Sequence, residues 1–231
     1  MISSENRRTG RKKACILVGA GDFSETAVDR REEDLCIAVD GGFRYCTALS
    51  LCPDMIVGDM DSLDDKVYKD IAEIKSKNPD KVVWLKPEKD DTDMLAAMRI
   101  GLEKGYRLFY IYGASGGRLE HTLANIQCLN YLKEQGAEAY ILDAELMLTI
   151  ICEEKISFDA ERKGYFSLFS LGEKAEGVTI KGMKYLLDRA VITDTYPIGV
   201  SNEFMGVPSE VSVEKGKLLL LINGQKQQVK N

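Results

Sequence analysis

Several acidic residues of this chain sit in short polar clusters that follow apolar runs. "VDGG" occupies 39–42, "GDMDS" 58–62 and "EKDDTD" 88–93. A fourth cluster, "GASGGRLEH" at 113–121, sets glycines beside an arginine and the chain's single histidine. Carboxylates held this close repel, and a hard divalent cation is the usual remedy. Magnesium takes oxygen ligands and keeps water together with one or two carboxylates. The acids clustered in 58–62 and 88–93 are the candidate ligands, and no Cys–His set suggests zinc. Lys89 would offset the charge or meet a phosphate as a point charge. Gly113, Gly116 and Gly117 let backbone amides approach a ligand, ahead of a helix start whose partial positive charge favours anions. Arg118 can give a phosphate two hydrogen bonds at once. An acidic metal site facing a glycine-rich, arginine-bearing loop is the equipment of nucleotide phosphoryl chemistry.

Plainer readings stand beside these. Asp40, before Gly41 and Gly42, suits an ordinary turn. Asp59 or Asp61 would cap a helix starting near Asp64, and Thr92 or Asp93 one starting near Asp93. His121 alone is a satisfied structural residue, and Lys89 a solvated one. Capping accounts for one carboxylate per helix, however, and leaves two or three acids clustered. "GAGD" (19–22) lacks the third glycine of a dinucleotide fingerprint, which discounts a nicotinamide site.

The elements that must position these clusters alternate. Strands are expected at "ACILV" (14–18), "LCIAV" (35–39), "MIVG" (55–58), "VVWL" (82–85), "LFYIY" (108–112) and "AYIL" (139–142), continuous apolar runs of the kind covered on both faces. Two helices are expected to bury Leu95, Met98 and Leu102, and Leu123, Ile126, Leu129 and Leu132, stopped by Gly105 and Gly136. The result is a Rossmann-like α/β unit, a mostly parallel sheet with flanking helices over 14–145, whose ligands bind beyond the strands' carboxyl ends. After Leu146 the runs turn short and β-rich, predicting a small all-β sandwich over 146–231, with a hairpin around Lys215-Gly216 in "VEKGKLLLLI". Residues 1–13 read as a polar tail holding the basic run Arg7–Lys13.

The 231 residues are 45% hydrophobic with a net charge of −6, which suits a proper core and argues against a nucleic-acid partner. No stretch reaches the ~18 apolar residues of a membrane helix. Six scattered cysteines without a CxxC pair read as reduced, mostly buried side chains of a cytoplasmic protein.

Taken together, "VDGG", "PDMIVGDMDSL", "EKDDTD", "GGRLEHTLANI" and "VSNE" (200–203), in this order and spacing, closely resemble the bacterial-type thiamine pyrophosphokinases from about Ala14 to the C-terminus. The resemblance implies an α/β catalytic domain with a β-sandwich that binds thiamine. It implies transfer of the pyrophosphoryl group of ATP to the hydroxyethyl group of thiamine, giving thiamine diphosphate and AMP with Mg2+. It also implies a homodimer with active sites between subunits. Asp59 and Asp61 match the acids near metal and phosphate. Asp90, Thr92 and Asp93 match the second acidic motif, with Asp91 at its variable position. Arg118, His121 and Asn125 match the nucleotide-side loop and helix start, joined by Asp40, Gly41, Gly42, Ser62, Lys89, Gly116 and Gly117. Ser201 and Asn202 match the thiamine-binding stretch, and Tyr185 and Trp84 are the aromatics considered for the pyrimidine ring, with core packing favoured for Trp84. Glu120 stands where aspartate is usual, and Val39 where alanine is common. The roles implied are magnesium held by Asp59, Asp61 and Asp93, with Arg118 and the glycine amides on the remaining phosphate charge. The rivals are a haloacid-dehalogenase-like phosphatase using its DxD aspartate as nucleophile, and a non-catalytic nucleotide or thiamine sensor.

Overall fold

The computed structural model of the chain separates into two units, Lys13–Ala144 and Glu145–Asn231. Residues 11–23, 28–61, 63–86, 88, 90–143 and 145–224 are described. The basic run before Arg11, Ser62 and Lys89 lie outside them.

In the first unit, six strands pair in parallel: β1 (Cys15–Val18), β2 (Leu35–Val39), β3 (Met55–Gly58), β4 (Val82–Trp84), β5 (Leu108–Tyr112) and β6 (Glu138–Leu142). Their order is β6-β5-β1-β2-β3-β4. The chain therefore leaves β1 towards one edge and returns to its other side with β5, which puts the topological switch point between β1 and β5. Every one of these strands points its carboxyl end to the same edge, so the loops carrying the polar clusters collect there.

The helices are α1 (Phe43–Ala48), α2 (Asp65–Lys77), α3 (Asp93–Glu103) and α4 (Leu119–Glu134). Ile16, Val18, Cys36, Ala38 and Ile56 of the sheet share one cluster with Phe43 and Cys46 of α1 and Ile71 of α2. The other face receives α3 with α4 beside it. There α3 buries Met94, Ala97, Met98 and Gly101, so that of the expected Leu95–Met98–Leu102 stripe Met98 is fully buried and the two leucines half-buried. The reason is close approach: a Cβ on Gly101 would come within 2.7 Å of the Phe109 ring and 2.9 Å of Cys15 Sγ. A small-residue face lets the helix sit lower on the sheet than a leucine face would. Likewise α4 buries Asn125, Cys128, Leu129 and Leu132 while Leu123 stays 55% exposed. Its rotation is set by the buried Asn125 amide, whose Nδ2 donates to the Ala114 carbonyl at 2.8 Å.

Asp64 is the N-cap of α2, its carboxylate accepting from Lys66 N (3.0 Å) and Val67 N (2.9 Å). Asp64→Ala is expected to cost about 1 kcal/mol of stability, the usual worth of such a cap. Turnover should be unchanged, as a thermal melt beside an activity assay will show.

The second unit holds two antiparallel sheets. One is ordered β12 (Asn202–Glu203), β9 (Tyr165–Ser170), β14 (Lys217–Asn223), β7 (Leu146–Cys152). The other is β11 (Leu187–Thr193), β10 (Lys174–Lys181), β13 (Ser209–Ser212), β8 (Lys155–Phe158). Phe166, Leu168, Leu218, Leu220 and Ile222 of the first pack against Phe158, Val178, Ile180, Ile192 and Val211 of the second, the period-2 interior of a sandwich. The expected hairpin at Lys215-Gly216 is not formed. β13 pairs with β10 and β8, whereas β14 pairs with β7 and β9. Lys215 bridges to Glu176 and Gly216 takes φ +94°, so the chain here crosses from one sheet to the other. No helix among the described residues is long and apolar enough to cross a membrane.

Candidate active site

Glycines seat the loops of the switch-point edge on one another. Asp40–Gly42 forms one 3₁₀ turn after β2. A Cβ on Gly42 would fall 1.9 Å from the Val18 carbonyl oxygen, and one on Gly58 would lie 3.0 Å from Asp40 Cα. The VDGG turn is thus wedged between the ends of β1 and β3. A Cβ on Gly19 would meet Met94 Cε at 2.8 Å, so the start of α3, with Asp93, comes back over the end of β1. Asp40 Oδ1 and Asp93 Oδ1 are both shielded from solvent.

Two non-glycine residues of these loops adopt left-handed backbone. Asp40 has φ +48° and Met60 φ +62°. For methionine this costs on the order of 1 kcal/mol, and such positions concentrate where function sets the geometry. Met60 buries its side chain in the core at 3% exposure. That anchor carries the half-buried Asp59 and the exposed Asp61 on either side of it. Asp61 N donates to Asp59 Oδ1 at 3.4 Å, and the Trp84 indole donates to Asp59 O at 3.2 Å. Trp84 meets Tyr68 edge-on, which makes it the backing of the acidic turn, in keeping with the packing role expected of it. Neither Asp59 nor Asp61 caps α2, since Asp64 does so; the plainer reading of this pair is thereby removed.

At the second acidic motif, Thr92 is the N-cap of α3, its hydroxyl accepting from Leu95 N at 3.2 Å. Asp91 turns away to pair with Arg99, which also lies over the Tyr131 ring. Asp90 is exposed and Asp93 half-buried in the first turn of the helix. Asp91→Asn should therefore leave kcat within about twofold of wild type, because an exposed ion pair of this kind contributes little. A loss as deep as that of an Asp93 variant would show that Asp91 also serves the reaction.

The glycine loop closes the other side of the switch point. Gly116 (φ +77°) and Gly117 (φ +62°) are exposed and lead into α4. Arg118 occupies the N-cap position, and its Nε donates to Glu120 Oε1 at 2.7 Å, with both side chains exposed. The Glu120 carboxyl lies below the usual carboxylate range, held there by its own backbone N–H and by the Arg118 guanidinium. A glutamate in place of aspartate at this position thus reaches the neighbouring arginine. His121 is exposed in the first turn of α4. Asn125 spends a side-chain N–H on Ala114 O, a role in building the loop.

Among the described residues no group of three or more His, Cys, Asp or Glu side chains forms a metal-holding set. The chemistry of the donors nonetheless suits magnesium: hard carboxylate oxygens at adjacent strand ends, with no sulfur among them. One or two protein carboxylates are what that ion ordinarily takes beside phosphate and water.

In the second unit, Ser201 has φ +60° and its N–H donates to Ser167 Oγ at 3.1 Å. Asn202 is 4% exposed and bonded to the chain around it: Oδ1 accepts from Tyr185 N and Glu203 N, both at 2.9 Å, and one Nδ2 hydrogen goes to Tyr185 O at 2.7 Å. Tyr185 itself is 60% exposed. Residue types alone did not single out Asp22, at the end of "GAGD". Its carboxylate accepts from Gly117 N at 3.2 Å.

Comparison with known proteins agrees with this layout. The family model described as thiamin pyrophosphokinase, catalytic domain, matches residues 30–141, and the one described as thiamin pyrophosphokinase, vitamin B1 binding domain, matches 153–218. Thiamine pyrophosphokinase of Bacillus subtilis (strain 168) is 28% identical over 191 residues, covering 82% of this chain and 87% of that protein. The crystal structure of a thiamine pyrophosphokinase from Bacillus subtilis superposes with a TM-score of 0.81 at 26% identity, covering 92% of this chain and all of that one. The one from Geobacillus thermodenitrificans gives 0.77 at 27%, with 93% and 99% covered. The fold extends to yeast thiamin pyrophosphokinase, with a TM-score of 0.71 at 16% identity over 96% of this chain and 90% of that one. With both of its characteristic domains present in order on one chain, this protein belongs to the thiamine pyrophosphokinase family.

Proposed function

We infer that this protein makes thiamine diphosphate by transferring the β,γ-pyrophosphoryl group of ATP to the hydroxyethyl oxygen of thiamine, with release of AMP. What supports the reading is the pairing of acidic and glycine-rich loops at a parallel-sheet switch point with a match to the vitamin B1 binding domain on the same chain.

The roles follow from the residues. Asp59 and Asp61, with Asp93 at the start of α3, would hold Mg2+, and Asp40, Gly41 and Gly42 would flank the nucleotide phosphates. When bound, that ion supplies charge neutralisation across the phosphate oxygens and on the departing AMP. Arg118, released from Glu120, would bind the transferred group through its guanidinium. The Gly116 amide ahead of α4 would add a backbone donor to the same charge, with Gly117 shaping the turn beside it through its own N–H bond to Asp22. Thr92 holds α3 in place through its cap, and Asp90 before it would border the phosphate path; Lys89 is assigned to the nucleotide on the family resemblance alone. Transfer of this type passes through a loose transition state, so these groups act by alignment and electrostatics rather than by strong base catalysis. Thiamine carries a positive thiazolium ring, which an acidic edge attracts. Ser201 and Asn202, with the exposed Tyr185, would form the thiamine side. Exposed Tyr185, Leu186, Tyr196 and Val207 on the second unit support a homodimer as the working form. The six free cysteines suit a reducing compartment such as the cytoplasm.

Incubation with ATP, magnesium and thiamine should yield AMP and thiamine diphosphate in equal amounts. Phosphate release without thiamine, with an acyl-phosphate on Asp59, would instead indicate a phosphatase. Binding of both ligands without AMP would indicate a sensor.

A further inference from the structure

"GAGD" (19–22) is too short of glycines to bind a dinucleotide, yet it carries two glycines and an acid at the end of β1. The geometry gives them a purpose. Beyond the paired strands, the two chains at the switch point continue to zip together: Gly19 N donates to Tyr112 O (2.8 Å), Gly21 N to Gly113 O (2.8 Å) and Asp22 N to Ser115 O (3.0 Å). A Cβ on Gly21 would lie 2.6 Å from the Ser115 carbonyl oxygen, and one on Gly113 would lie 2.5 Å from that of Gly19. The glycines in both loops thus permit backbone-on-backbone contact, a demand separate from any ligand.

Asp22 completes the seam. Its Oδ2 accepts the Gly117 N–H, and it lies where a side chain on Gly116 would have to go, 2.2 Å from the ideal Cβ position. The far side is fastened as well, with Ser115 donating its hydroxyl to Asp143 and Asn125 its amide to Ala114 O. The β1 loop is in turn held from α1 by Tyr45, whose hydroxyl donates to Gly21 O at 3.0 Å and whose ring stacks on Phe23. Among the described residues, the Asp22 bond is the one of these that reaches the tip handing over to Arg118.

We propose that Asp22 is a positioning residue for the reaction, tethering the loop tip through the Gly117 N–H so that the Gly116 amide and the adjoining Arg118 are presented to the nucleotide phosphates. It acts through the loop and touches no reacting atom. The inference rests on the functional reading above, and its test has one arm that does not depend on that reading.

Three proteins decide it: wild type, Asp22→Ala and Asp22→Asn, the last keeping a carbonyl oxygen for the Gly117 N–H while removing the charge. In the absence of substrates, amide exchange across 113–119 should quicken about tenfold in Asp22→Ala and stay near wild type in Asp22→Asn. In steady-state assays, Asp22→Ala should raise KM for ATP about tenfold and leave KM for thiamine within about twofold, with Asp22→Asn again near wild type. Unchanged exchange in Asp22→Ala overturns the tether, and an unchanged KM for ATP overturns its role in the reaction. Equal damage from both substitutions overturns it too, because charge rather than the bond would then be what matters. If wild type made no thiamine diphosphate, the functional reading would fail while the exchange arm still decided the tether.

Discussion

Asp61→Asn is expected to lower kcat roughly a thousandfold, or about 4 kcal/mol of transition-state stabilisation, while the melting temperature moves by less than about 2 °C. The two halves of this expectation come from the same turn. Asp61 is exposed beyond the end of β3, and the helix that follows takes its cap from Asp64. The fold therefore asks little of the Asp61 charge, and an isosteric amide removes it without opening a cavity. What the turn does ask for is Met60 in left-handed backbone, buried so that the flanking carboxylates stand out from the sheet edge. A chain has little structural reason to hold a methionine so in order to display two like charges, whereas a site for a hard cation has one. Turnover measured across a magnesium titration checks the assignment. The variant should need more magnesium and still fall short at saturation; near-normal turnover at ordinary magnesium would remove Asp61 from the metal site. Asp64→Ala, three residues on, supplies the mirror-image control, with stability lost and turnover kept.

The strands of the first unit were legible because each is a continuous apolar run with glycine or acid at its end. "LCIAV", "MIVG" and "LFYIY" coincide with β2, β3 and β5 residue for residue. The polar loops were legible for the same reason, since in a parallel sheet all strand exits share one edge. Helix faces were legible only in part: Met98, Leu129 and Leu132 are buried as expected, whereas Leu95, Leu102, Leu123 and Ile126 are not fully buried. The period in α3 and α4 pointed to leucines, but Gly101 and Asn125 set the rotation of the two helices, one by permitting close approach and the other by a buried hydrogen bond. Partners across sheets were hidden too: β13 and β14 adjoin in sequence around a glycine and read as a hairpin, yet nothing local records which sheet each strand joins. At the site, Asp59, Asp61 and the glycine loop stood out by composition. Asp22 did not, because its role exists only once β1 and β5 are neighbours, a pairing of residues separated by most of the domain.

Asn202→Ala is expected to weaken thiamine binding more than tenfold, leave ATP binding within about twofold, and lower stability by about 3 kcal/mol. Sequence reading made Asn202 a thiamine contact, but its buried amide is occupied otherwise. It joins β12 to the bend at 182–186 through two hydrogen bonds to the backbone of Tyr185, and a third ties it to its own neighbour Glu203. Truncation leaves Tyr185 N, Tyr185 O and Glu203 N without these partners in a place with little water, which is where the stability goes. The loss in thiamine affinity then runs through Tyr185, an exposed ring on a backbone that only Asn202 clamps from the side-chain side among the described residues. Asn202→Asp separates the parts: it keeps the acceptor oxygen but turns the donor to Tyr185 O into a second oxygen, so the bend is repelled where it had been held. Tyr185→Phe should keep most thiamine affinity and Tyr185→Ala should lose it. The Asn202→Ala/Tyr185→Ala double variant should be little worse than the poorer single one, since two residues serving one contact do not add. Additive losses in that cycle would mean instead that Asn202 meets thiamine with its one remaining amide hydrogen, independently of the ring it holds.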